Sequence, residues 1–79
     1  MHIGIRIKEV LKNHPKGHNV KWFAKELNTS RRNVYDIFNR NDLDTNLLRR
    51  ISRILDYDFF FDLSEEFSQE PASEINNMK

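Results

Sequence analysis

The sequence predicts an all-α fold, a compact bundle of four to five short helices. Three observations lead there. The 79 residues include only two glycines and two prolines, so few breakers interrupt helical stretches. Apolar residues recur at i, i+3, i+4 and i+7 along most of the chain, the spacing of one helix face. A chain this short buries only about 60 to 65% of the surface its unfolded form exposes. With no cysteine to form a disulfide or bind a metal, its stability must come from one packed core.

Ile3, Ile7, Val10 and Leu11 form a single stripe on a first helix of roughly three turns, which Pro15 ends because the residue before proline is pushed out of helical geometry. Ile5 lies opposite the stripe, as an ordinary exposed apolar residue or a subunit contact. Asn19 caps a second helix in which Val20, Phe23, Ala24 and Leu27 point inward. Then comes "NTS", where Asn28 suits a left-handed helix end and Ser30 caps the third helix. There Val34, Ile37 and Phe38 are the buried stripe, and at 100° per residue Arg32, Tyr35, Asp36 and Asn39 fall opposite, with Arg31 on the flank. "NRNDLD" reads as a loop. Asp44 or Thr45 starts a fourth helix with Leu47, Leu48, Ile51, Ile54 and Leu55 inward and Asn46, Arg49 and Arg53 outward. Asp58 caps another short helix containing "FFFDL", whose three phenylalanines cannot all face one way. From about Ser68 the apolar period is lost. The predicted organisation is a folded domain over 1–66 and a flexible acidic and polar tail over 67–79.

A formal net charge of +1 conceals two unlike parts. Through Arg53 there are twelve Lys or Arg against five acids, a local charge of +7, and from Ile54 onward seven acids against Lys79 alone, a local charge of −6. Such asymmetry points to a polyanionic partner for the basic part, although solvated helix faces account for charge alone equally well. No apolar run approaches the roughly 20 residues that cross a bilayer, and "MHIGIRIKEVLK" lacks the unbroken apolar core of a signal peptide. The expectation is a cytoplasmic protein with no membrane span.

A helix, a turn of about three residues and a second helix form the geometry that lets one helix cross the DNA backbone while the next enters the major groove. Ala24 gives the small side chain needed where the two helices approach, and Phe23, Leu27, Val34 and Ile37 clamp their angle. On "IGIRIKEVLK", "VKWFAKELNTSRRNVYDIF" and "LDTNLLRRISRILDYDFFFDL" the chain resembles, over about residues 2 to 66, the lambda-repressor-like, Cro-like helix-turn-helix DNA-binding proteins of the XRE family. Ala24, Leu27, Ser30, Val34 and Ile37 stand at that pattern's alanine, hydrophobic, cap and core positions. Asn28 replaces the usual turn glycine, and Tyr35 stands where many members carry a small polar residue.

The resemblance implies a small transcriptional regulator, a repressor above all, working at the nucleoid of a prokaryote or phage. Carried over by position, its base-reading surface is Ser30, Arg31, Arg32, Tyr35, Asp36 and Asn39. Arg31 and Arg32 can each pair with guanine O6 and N7, Asn39 with adenine or a phosphate, and Asp36 can accept from cytosine N4 or orient an arginine. Phosphate contacts are expected from Asn19 and Lys21, from Arg40 and Asn41, and from Thr45 and Asn46, at helix starts that attract anions. For Arg49 and Arg53, beyond the motif, plain solubility is the favoured reading. Trp22, just off its helix's buried stripe, fits the core edge with its indole N–H free for water or a phosphate. Few contacts per domain imply a homodimer on a nearly palindromic operator.

Enzymatic chemistry is not expected. His14 and His18 are four apart, but Pro15 and Gly17 prevent the helix that would align them, no third ligand is at hand, and there is no glycine-rich phosphate loop. No cofactor or metal is implied. The competing reading is a helical interaction module, such as an antitoxin or anti-repressor, meeting a protein partner through the acidic, Phe-rich end.

Overall fold

Local capping sets where each helix starts. The computed structural model describes residues 1–15 and 19–69. Within them lie α1 (Ile3–Lys12), α2 (Val20–Leu27), α3 (Arg31–Phe38), α4 (Thr45–Leu55) and α5 (Phe59–Ser68). A helix leaves its first amide groups without partners, and here each start is met by a side chain. Asn19 Oδ1 accepts from the Trp22 amide at 2.7 Å, Ser30 Oγ from Asn33 at 3.1 Å, Asp44 Oδ1 from Leu47 at 2.8 Å and Asp58 Oδ1 from Phe61 at 3.1 Å. His2 does the same for α1, its Nδ1 accepting from Ile5 at 3.1 Å.

Helix ends are equally local. Asn28 sits in the left-handed region at φ 59°, and the Thr29 amide reaches back to the Ala24 carbonyl at 2.9 Å. Asp56 ends α4 in the same way at φ 50°, with Tyr57 donating to Ser52 at 2.9 Å. α1 stops at Lys12, short of Pro15, because Asn13 caps it and its side-chain amide donates to the Glu9 carbonyl at 3.1 Å. α5 continues to Ser68, two residues past the expected domain boundary, and the rest of the expected tail, 70–79, lies outside the described residues.

The helical stripes meet in one core. Ile3, Ile7, Leu11, Phe23, Ala24, Leu27, Val34, Ile37, Phe38, Leu48, Ile51, Leu55 and Phe59 are all buried. α3 packs on α1 and α2, and α4 packs on α2. Phe59 alone of the three phenylalanines is fully enclosed, while Phe60 and Phe61 are exposed. α5 is further tied to α1 by polar contacts. Arg6 Nε donates to Asp62 at 2.8 Å, its guanidinium also donates to the Tyr57 hydroxyl and lies 5.1 Å from that ring's centre, and Tyr57 in turn donates to Asp62 at 2.8 Å. Asp62 first, and Tyr57 second, raise the Arg6 pKa above its ordinary value.

Gly4 is buried where α1 crosses the end of α3. A Cβ there would overlap the carbonyl oxygens of Ile37 and Phe38, which as backbone atoms cannot swing away. The Gly4 amide donates to the Arg40 carbonyl at 3.0 Å, and the Ile3 amide to that of Asn41 at 3.4 Å. Alanine is the better helix former by about 1 kcal/mol, yet overpacking of this kind costs about 1–3 kcal/mol. Gly4→Ala is therefore expected to lower the urea unfolding midpoint, and an unchanged or raised midpoint would show that α1 does not lie this close to α3.

Candidate nucleic-acid interface

The connection between α2 and α3 is three residues, Asn28 to Ser30, and each has a fixed task. Asn28 turns the chain in the left-handed region, Thr29 Oγ1 accepts from the Asn33 side chain at 2.9 Å, and Ser30 caps α3. Arg50 reaches from α4 to donate to the Leu27 carbonyl at 2.9 Å, satisfying an acceptor that the end of α2 leaves open. With Phe23, Ala24 and Leu27 buried against Val34 and Ile37, the orientation of α3 is set from both flanks.

That packing consumes the inner face of α3 and leaves its outer face bare. Arg31, Arg32, Tyr35, Asp36 and Asn39 are all exposed, Tyr35 by 55%. The Tyr35 ring stands edge-on to Phe38 at 6.0 Å, so an aromatic side chain projects from the core edge into solvent. Among the described residues no salt bridge engages Arg31, Arg32 or Asp36. Ser30 uses its hydroxyl oxygen as the α3 cap, which leaves its proton to be donated outward.

The expected phosphate contacts are unequal in this geometry. Lys21 is exposed in the first turn of α2, and Arg40 and Asn41 are exposed in the loop after α3. Asn19 is a neutral cap with no acid in the first turn of α2, so that helix start keeps an uncompensated positive dipole end. Thr45 and Asn46 are exposed too, but the cap beside them is the Asp44 carboxylate, whose charge opposes an incoming phosphate. The start of α2 is thus the better anion site.

No protein-family model, curated protein or solved structure matches this chain. The interface is therefore read from its own residues.

Two lysines missed in the sequence belong to the same surface. Lys8 and Lys12, one turn apart on α1, border a groove with Leu11, Val20, Tyr35 and Phe38, which carries the basic strip from α3 across to α1. Their i, i+4 spacing was visible, but only the fold reveals that this side of α1 adjoins Tyr35. Trp22 lies at the core edge, stacked on His14 with ring centres 5.0 Å apart. His18 lies outside the described residues, and among those described no group of three or more His, Cys, Asp or Glu is placed to hold a metal.

The turn yields a stability prediction. A non-glycine residue in the left-handed region costs about 1–2 kcal/mol, a penalty that asparagine evades in part through local hydrogen bonds. Asn28→Ala should destabilise the fold by about 1 kcal/mol in chemical denaturation, and Asn28→Gly should not. Equal losses for both would place the strain elsewhere.

Proposed function

We propose that this protein is a small sequence-specific regulator of transcription that binds double-stranded DNA, with α3 in the major groove and the start of α2 against the phosphate backbone. The observation that carries the reading is the outer face of α3: two arginines, an asparagine and a tyrosine, held outward by a fully buried inner face and a three-residue turn. In this arrangement Arg32 and Arg31 meet guanine edges, and Asn39 meets adenine or a phosphate. Asp36 orients an arginine or accepts from cytosine N4. Lys21, Arg40 and Asn41, joined by Lys8 and Lys12, fix the register without reading sequence. Two copies on a near-palindrome, with half-sites one helical turn apart, complete the reading, which matches the lambda-repressor-like resemblance and a repressor working at the nucleoid.

A second reading, a module that binds another protein, is favoured by the exposed phenylalanines of α5. Salt separates the two. Through several phosphates, log affinity for duplex DNA should fall by about 0.9 per phosphate for each log unit of salt. A flat response, or no duplex binding at all, favours the protein partner.

Two substitutions probe the face itself. Arg32→Ala is expected to lose about 1–3 kcal/mol on the specific site and relax preference at one base pair, while Lys21→Ala weakens all duplexes alike. Equal losses on specific and random DNA for both variants, measured by fluorescence anisotropy, would show that α3 is not the reading helix.

A further inference from the structure

α4 and the start of α5 line a groove that the reading of DNA leaves unused. Arg49, Ser52 and Arg53 come from α4, Phe60 from α5, and Asp56 and Asp58 from the connection between them. Its volume of about 400 Å³ falls in the range of small-molecule sites.

Ser52 marks the groove as unfinished. Its hydroxyl oxygen is enclosed, and among the described residues it has no hydrogen-bond partner. A buried hydroxyl left unpaired is costly and calls for a partner from outside the fold. Arg49 and Arg53, exposed and one helical turn apart, lie on the same helix face as Ser52. Neither joins a salt bridge among the described residues, although two aspartates line the same groove. Two guanidinium groups with a hydroxyl between them form a donor set for one phosphate group.

The remaining lining residues ask for different chemistry. Phe60 is 37% exposed, enough to stack on a flat ring. Asp58 Oδ1 already accepts from the Phe61 amide at 3.1 Å, which leaves its second oxygen and the Asp56 carboxylate as open acceptors. These carboxylates repel a bare phosphate, so the ligand must answer them with hydrogen-bond donors. Guanine does so best, because its N1–H and N2–H donors lie side by side and match one carboxylate, whereas the same edge of adenine sets a donor beside an acceptor. We propose that this groove binds a guanine mononucleotide, its phosphate on Arg49, Ser52 and Arg53, its base stacked on Phe60 with the edge donors on Asp56. The site uses neither α3 nor the lysines beside it, so it stands apart from the proposed function.

Isothermal titration calorimetry of the full chain without DNA tests it, with GMP, AMP, guanosine and inorganic phosphate as probes. GMP should bind at least ~tenfold more tightly than each of the others. Ser52→Ala should weaken GMP binding while the urea midpoint holds or rises, since it removes the unpaired hydroxyl. Arg49→Gln with Arg53→Gln should reduce GMP to the affinity of guanosine. Asp56→Asn, which suits the left-handed φ of 50° equally well, should erase the preference for GMP over AMP. No heat with GMP at millimolar concentration overturns the proposal, as does phosphate binding as tightly as GMP, or GMP binding indifferent to the arginine pair. If the wild type ignores GMP and the paired arginine variant loses affinity for random duplex DNA, the arginines belong to backbone contacts and the nucleotide site is refuted.

Discussion

The approach of Gly4 to the Ile37 and Phe38 carbonyls is the contact on which the position of α3 depends. It brings the first amides of α1 onto the carbonyls of Arg40 and Asn41, so one close crossing satisfies groups at the start of one helix and just past the end of another. The other end of α3 is held by the turn, through the left-handed Asn28, the Thr29 to Asn33 hydrogen bond and the Ser30 cap. A helix of eight residues is far too short to be stable alone in water. Anchored at both ends and packed through Val34, Ile37 and Phe38, it can carry a polar, positively charged outer face.

The same logic separates the molecule's two charged regions. Lys8 and Lys12 of α1 border a groove with Tyr35 of α3, and Arg31 and Arg32 are exposed on α3 itself. Two acids of α5 are tied elsewhere, Asp62 to Arg6 of α1 and Glu66 to the chain's amino terminus. A single folded unit can therefore present a basic surface at one place and an acidic, apolar one at another while its net charge stays near zero.

Much of this was legible in the sequence because capping and periodicity are local. Asn19, Ser30 and Asp58 start the helices where expected, Asn28 turns left-handed, and the apolar stripes of the first four helices face the core, with Val10, Val20, Leu47 and Ile54 only partly buried. What escaped depends on residues distant in the chain. Gly4 reads as a weak helix residue until the end of α3 lies against it. Arg50 reads as one more surface cation until it meets the Leu27 carbonyl. Lys8 and Lys12 join the basic surface only because α1 and α3 pack together. Asp44 was expected as a possible helix start, and as the cap it places a carboxylate beside Thr45 and Asn46.

The central claim is that the outer face of α3 reads base sequence. Selection of bound duplexes from a random pool tests it most directly, since it registers binding, symmetry and preference together. The account predicts enrichment of a near-palindrome whose half-sites lie one helical turn apart, with one conserved base pair losing its preference when Arg32 is alanine. A pool that stays random after repeated rounds, or an enriched site indifferent to every substitution on α3, would contradict it.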